Sequence, residues 1–252
     1  MEWLRTATNR SASRLLQSGY RNAVNTLFPG RCPICEELVD AVGDVCTDCA
    51  GKLKYITSPF CMICGKQLED DAREVCSDCE RKHHSFIRGV GALAYTKDVK
   101  QSMYRFKYSN RREYAVFYSD ILLKLKGHII ESWKPDVIVP VPLYAARYRK
   151  RGYNQAGLIA EEIGRRLGVL VDEELLVRTV NTAPQKELND KERTKNTKNA
   201  FQVTHNIVKY KRVLLVDDIY TTGATLDACS DALTNAGTAQ VYFAAVCIGR
   251  GF

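Results

Sequence analysis

Four C-x-x-C pairs constrain this chain more than any other feature. They are Cys32/Cys35, Cys46/Cys49, Cys61/Cys64 and Cys76/Cys79, and only Cys229 and Cys247 lie outside that stretch. The first unit reads C-P-I-C, ten residues, C-T-D-C; the second reads C-M-I-C, eleven residues, C-S-D-C. Two-residue spacing lets both thiolates of a pair reach one ion, and a tetrahedral set of four cysteine thiolates is a structural zinc site with no position left for substrate. The spacing predicts two structural zinc ions, one on Cys32, Cys35, Cys46 and Cys49 and one on Cys61, Cys64, Cys76 and Cys79. Interleaved pairing stays open, as do redox-active pairs and an iron–sulfur cluster. A secreted disulfide scaffold would not space all its cysteines this way. Residues 31–84 hold few long hydrophobic side chains, so metal binding must supply folding energy that a small core lacks. His83 and His84 follow the last pair and read as surface histidines, because eight thiolates already fill both sites.

The remainder has the make-up of a folded protein. With 252 residues and 45% hydrophobic content, the chain suffices for one large or two modest domains and is too apolar to be disordered. The net charge of +8, from 37 basic and 29 acidic residues, favours nucleic acid, phosphates or an anionic membrane surface without choosing among them. No segment reaches about 18 uninterrupted apolar residues, so a membrane-spanning helix is not expected. The first residues lack the apolar stretch of a secretory signal. A reducing cytoplasm is therefore expected, with peripheral association at the inner face of the membrane left open.

Three regions are expected: an amphipathic helix over 1–28, with Leu15, Leu16, Val24, Leu27 and Phe28 on its apolar side and a break at Pro29-Gly30; a double zinc ribbon over 29–84; and an α/β domain over 86–252. In the last, Gly91–Tyr95, Val137–Val141, Leu175–Val180, Asn199–Val203, Val213–Val216 and Val241–Ile248 read as strands. Val99, Met103 and Phe106 form a helical stripe. Further helices are expected over Tyr114–Lys126, over Ala156–Leu167 before Gly168, and over Leu226–Ala236 before Gly237. Strand–helix alternation predicts a parallel sheet with helices on both faces.

The sharpest motif is the run from Val213 to Thr225, VLLVDDIYTTGAT. A buried strand leads to two carboxylates and then to a small, hydroxylic turn that opens a helix. In open α/β sheets, ligands sit at that edge. The turn Thr221, Thr222, Gly223, Ala224 and Thr225 can aim N–H groups and hydroxyls at one phosphate. Asp217 and Asp218 can accept from two neighbouring sugar hydroxyls. The parts suit a ribose 5-phosphate.

This segment resembles the phosphoribosyl-pyrophosphate signature of type I phosphoribosyltransferases. Together with Val139-Pro140-Val141-Pro142-Leu143, Arg151-Gly152-Tyr153-Asn154-Gln155-Ala156, and Gln185, Arg193, Asn196 and Phe201, it is similar to the ComF family pattern, whose members also carry a double zinc ribbon. The resemblance covers roughly residues 28–250. It implies a type I phosphoribosyltransferase-like sheet behind the ribbon, binding of phosphoribosyl pyrophosphate or a related sugar phosphate with magnesium, and a part in natural competence. There it implies the handling of single-stranded DNA beside other competence proteins such as a DNA translocase. The alternative is a salvage-type phosphoribosyltransferase with a nucleobase or amide acceptor. Met1-Glu2 at the start offers no cysteine as a glutaminase nucleophile.

The resemblance also assigns candidate roles. Leu143 and its followers would face pyrophosphate, since Pro142 lacks an N–H. Arg147 and Arg151 would neutralise it, and Arg149 and Lys150 would meet either pyrophosphate or DNA phosphates. Residues 181–198 correspond to a mobile hood from which Lys186, Lys191 and Arg193 would reach the leaving group. Arg105, Lys107, Arg111 and their basic neighbours surround Tyr104, Phe106 and Tyr108, a mixture that suits unpaired bases, although the helical stripe places Phe106 in the core.

Overall fold

A computed structural model describes residues 30–180 and 200–249. The helix expected over 1–28, and with it Lys186, Lys191 and Arg193, falls outside those residues. The cysteine region opens with a short antiparallel pair, β1 (Gly30–Arg31) and β2 (Leu38–Val39), and each second half-unit starts a short helix, α1 (Thr47–Lys52) and α2 (Ser77–Arg81). The α/β part then runs β3 (Arg88–Ala94), α3 (Lys97–Tyr108), α4 (Tyr114–Ser132), β4 (Val137–Pro140), α5 (Ala145–Arg151), α6 (Gln155–Leu167), β5 (Leu176–Arg178), β6 (Phe201–Val203), β7 (Arg212–Tyr220), α7 (Ala224–Asn235) and β8 (Gln240–Ile248).

Four strands form one sheet in the order β3-β8-β7-β4, every neighbouring pair parallel. The central strand β7 reads RVLLVDDIY and buries Val213, Leu214, Leu215 and Val216 completely. A strand covered on both faces needs such a run. Its side chains alternate between two cores. Leu214 and Val216 join the core beneath α3, α4 and α6, whereas Val213 and Leu215 join the core beneath α7. Local signals set the helix ends. The Thr96 hydroxyl accepts from the Val99 N–H at the start of α3, the Asn154 side chain accepts from the Ala156 N–H at the start of α6, and Gly168 closes α6 in the left-handed region.

The strands β5 and β6 pair antiparallel outside the main sheet. Three elements differ from the sequence reading, and one is α4, which runs on to Ser132, past the expected end at Lys126. β7 continues through both aspartates to Tyr220, because Asp217, Ile219 and Tyr220 keep pairing with β8. Residues 145–151, read as a basic loop, form the helix α5, which ends at left-handed Gly152 (φ 78°).

The cysteine region does not stand apart from this sheet. Between its two units the chain runs antiparallel along the outer edge of β3, with the Ile56 N–H donating to Ala92 O (2.8 Å) and the Ala94 N–H to Lys54 O (2.9 Å). An exposed sheet edge is thereby covered. The two units lie on opposite faces. Cys32 and Cys49 belong to the core with Met103 and Phe106, and Cys61, Cys64, Cys76 and Cys79 to the core with Phe86, Tyr220 and Phe243. Close approach explains Gly65, which follows the C-M-I-C knuckle in the left-handed region (φ 72°). A Cβ there would lie 2.8 Å from Val90 Cα. The equivalent position in the first unit is Glu36, also left-handed (φ 68°). Its carboxylate is held by Arg111 at 2.7 Å and Arg105 at 3.6 Å.

Candidate functional site

The two cysteine sets close as the sequential grouping predicts. Within Cys32, Cys35, Cys46 and Cys49, and within Cys61, Cys64, Cys76 and Cys79, all four sulfur atoms lie within 4.8 Å of one another. Sγ–Sγ separations across each set are 3.7 Å for Cys35–Cys46 and for Cys64–Cys76. Zinc–sulfur bonds of about 2.3 Å in a tetrahedron set sulfurs about 3.8 Å apart, so both sets fit zinc. The Cys76 N–H also donates to Cys61 Sγ at 3.3 Å, support that a thiolate ligand receives. Cys229 and Cys247 are fully buried and belong to neither set, and burial raises both thiols well above their ordinary range. They act as small core hydrophobes.

At the carboxyl ends of β4 and β7 lies a cleft of about 590 Å³, the size of a small-molecule site. Asp217, Asp218, Thr221, Gly223, Ala224 and Thr225 form one wall, Leu143, Arg147, Lys150 and Arg151 another, and Lys107, Tyr108 and Arg178 reach in from α3 and β5. Most residues singled out in the sequence for a sugar phosphate thus meet in one place. Gly223 caps α7 with φ 79°, and a Cβ there would come within 2.9 Å of His84 Cε1 and 3.0 Å of Tyr220 Oη. Both the conformation and the space require glycine.

The cleft is electrically divided. Burial, and after it the neighbouring Asp218 charge, push the Asp217 carboxyl up to about 7. Asp218 meets the Lys107 ammonium at 2.7 Å. Burial alone would lower the Lys107 ammonium, but the charge of Asp218 outweighs it and the net shift is upward. Among the cations, Arg151 donates to Gln155 Oε1 (2.7 Å) and to the Tyr108 hydroxyl (3.0 Å), and its guanidinium lies 4.9 Å from the Tyr108 ring centroid.

The residues read as nucleic-acid contacts separate into three places. Lys107 is in the cleft. Arg105 donates to Pro33 O (3.2 Å) and to Ile34 O, and with Arg111 it grips Glu36, so the two hold the first cysteine unit onto α3 and the turn that follows it. Arg149 and Lys150 are exposed on α5, which buries none of its residues, with Lys150 also at the rim of the cleft. Tyr104 (59% exposed), Tyr108 (50%) and Tyr148 (51%) stand out around them, while Phe106 is fully buried as its stripe requires.

Three residues in or beside the cleft escape sequence reading. Arg178 reaches the cleft from β5 and lies over the Phe201 ring at 5.3 Å; its signal is a lone charge inside an apolar strand candidate. Tyr95 lines the cleft from the end of β3. His84, read as a surface residue, is buried, with its ring against Asp227 of α7. Its partner is too distant in sequence for any local pattern to reveal it. His83 is exposed, as expected. Among the described residues, no helix is long and apolar enough to cross a membrane.

Two family models match the chain. The family model described as double zinc ribbon domain matches residues 23–80, and that described as phosphoribosyl transferase domain matches residues 120–251. Competence protein F of Haemophilus influenzae is 32% identical over 222 residues, covering 85% of this chain and 95% of its own. DNA utilization protein YhgH of Escherichia coli K12 is 30% identical over 224 residues, covering 87% and 97%. Competence protein ComFC of Bacillus subtilis is 32% identical over 212 residues, covering 77% and 80%. Among solved structures, a purine phosphoribosyltransferase from Pyrococcus horikoshii aligns at 18% identity with a TM-score of 0.35, over 52% of this chain and 73% of that one.

Proposed function

The chain belongs to the ComF family, a double zinc ribbon joined to a phosphoribosyltransferase domain, and on that premise we propose that its cleft binds phosphoribosyl pyrophosphate while the face beside the cleft binds single-stranded DNA. The observation that carries the reading is the convergence at the end of β7. A diol acceptor pair, Asp217 and Asp218, stands beside a glycine-capped helix start and across from Arg147, Arg151 and Arg178. The phosphate would rest on the Thr221–Thr225 turn, where N–H groups at the start of α7 favour an anion. The ribose hydroxyls would donate to Asp217 and Asp218, and the pyrophosphate would face Leu143, Arg147 and Arg151. Arginine forks suit such oxygens. Magnesium would accompany the pyrophosphate and offset its charge; Asp217 and Asp218 are hard oxygen donors of the kind it accepts.

The same geometry supports the second ligand. Tyr104 and Tyr108 set their rings 4.8 Å apart on α3. Arg151 ties Tyr108 to α5, which carries Tyr148, Arg149 and Lys150 outward. A helix that buries nothing contributes little to the core, so these three side chains are available to a partner. Exposed rings stack unpaired bases and flanking cations follow the phosphates. The relatives' names, competence protein and DNA utilization protein, support a role in handling DNA; in this reading the chain works in the cytoplasm in DNA uptake, beside a translocase or another competence protein. Phosphoribosyl transfer would require an acceptor at C1 of the sugar, at the Tyr108 end of the cleft.

The test is fluorescence anisotropy with a labelled oligothymidine across a salt series. Binding that weakens steeply with salt, and weakens in Tyr104→Ala and Tyr108→Ala, is expected. Binding that is absent, or flat across salt, would refute the DNA half of the proposal.

A further inference from the structure

Immediately beyond Cys79 the chain turns under the phosphate loop and takes hold of it. Lys82 Nζ donates to Asp227 Oδ2 at 2.7 Å and to the Thr222 carbonyl at 3.2 Å. His84 Nδ1 lies 3.0 and 3.1 Å from the two Asp227 oxygens, and the Ser85 N–H donates to Asp227 Oδ1 at 3.2 Å. Asp227 sits in the first turn of α7, one turn beyond Gly223, whose carbonyl accepts from its own N–H (2.8 Å). Three features of one strap thus end on one carboxylate. The His84 side chain is 2% exposed and that of Asp227 15%, so the contacts are shielded from water and salt. Burial alone would raise the Asp227 carboxyl, yet His84 and Lys82 hold it below the usual carboxylate range.

The strap is itself braced. The His84 ring stacks on Phe86 at 4.6 Å, Phe86 meets Phe243 edge-on at 4.7 Å, and Tyr220 stacks on Phe243 at 5.1 Å. Tyr220 is the last residue of β7 before the loop. The loop is held at its front by the strand, at its back by Asp227, and from below by the His84 ring against Gly223. Lys82 and His84 leave the helix α2 that carries Cys79, so the second cysteine unit sets where this strap begins.

We propose that the second zinc-binding unit fixes the conformation of the phosphate loop through Lys82, His84 and Asp227, which are positioning residues for the phosphate. This rests on the reading of the cleft as a sugar-phosphate site. It gives the ribbon a task in ligand binding, beyond stabilising its own fold.

The test compares Asp227→Asn, Lys82→Met and Lys82→Arg in the zinc-loaded full chain. Lys82 is partly exposed, so its variants keep the comparison open should Asp227→Asn fold poorly. Amide hydrogen exchange at Thr222–Thr225 should accelerate roughly tenfold in Asp227→Asn and Lys82→Met, and return near the parent rate in Lys82→Arg. The dissociation constant for phosphoribosyl pyrophosphate should rise about tenfold or more in the same two variants, with oligothymidine affinity and two bound zinc ions retained. A merely structural loss would weaken the oligothymidine as well and would not be restored by Lys82→Arg. Unchanged exchange at the loop in both Asp227→Asn and Lys82→Met overturns the proposal. Faster exchange together with no binding of phosphoribosyl pyrophosphate by any form, the parent included, upholds the strap and refutes the ligand.

Discussion

The Lys107 ammonium stands 2.7 Å from the Asp218 carboxylate inside the cleft. It is the cation that lets two adjacent carboxylates share this floor. Removing it by Lys107→Met leaves both acids with one counter-charge fewer, and a partly buried charge left alone costs about 3–5 kcal/mol. Near neutral pH the variant should therefore lose about 2–4 kcal/mol of stability. The loss should shrink near pH 5, where Asp217, pushed up to about 7, is already protonated in both proteins and one carboxylate fewer is left without its cation. Urea midpoints at pH 8 and pH 5 check this; an equal loss at both would contradict it.

Asp217 gives a prediction of opposite sign. Its folded value near 7 lies above the ordinary carboxylate value of 3.8, so the folded state holds the proton more tightly. Stability then falls as pH rises from about 4 to about 7 and stays lowered above that. Asp217→Asn keeps the Oδ1 that accepts from the Asp218 N–H (2.8 Å) and removes the ionisation. At pH 8 the variant should be more stable than the parent by ~1–3 kcal/mol, with no gain at pH 4. Thermal unfolding at the two pH values decides it.

The exposed face makes a graded prediction. Arg149→Ala and Lys150→Ala should each reduce the salt slope of oligothymidine binding by about 0.7. Tyr104→Ala and Tyr108→Ala should cost ~1–3 kcal/mol each with little change in slope. Arg111→Ala, whose guanidinium is engaged with Glu36, should leave the slope unchanged and lower thermal stability instead. A slope that falls most in Arg111→Ala would place the DNA elsewhere.

Metal analysis should find two zinc ions per chain. Cys61→Ser, at a fully buried ligand, should bind one, and the protein should lose several kcal/mol because metal binding and folding are one event in such units. Two retained ions would show that the four sulfurs of the second set do not act together.

How much of this was legible in the chain follows from where each signal lives. The sheet could be read because Val213–Val216 and Val241–Ile248 are uninterrupted apolar runs, and the metal sites because C-x-x-C spacing is local chemistry. The phosphate loop was legible for the same reason. The extension of β7 through Asp217 and Asp218 was hidden, since carboxylates interrupt the apolar pattern and pairing with β8 alone sustains the strand. Helix α5 was hidden because a helix without a buried face carries no periodicity. Arg105 and Arg111 looked like free cations until the fold brought Glu36 against them. The grip of His84 and Lys82 on Asp227 joins residues 143 and 145 positions apart, and no window along the sequence contains both ends.

The central claim is that the turn after β7 holds a sugar phosphate. Calorimetric titration of the zinc-loaded protein with phosphoribosyl pyrophosphate and magnesium tests it most directly, run beside Gly223→Ala, whose Cβ would strain a left-handed residue and crowd His84. The predicted result is one site per chain, displaced by ribose 5-phosphate and weakened at least roughly tenfold in Gly223→Ala. Absence of binding, or equal affinity in the two proteins, would contradict it.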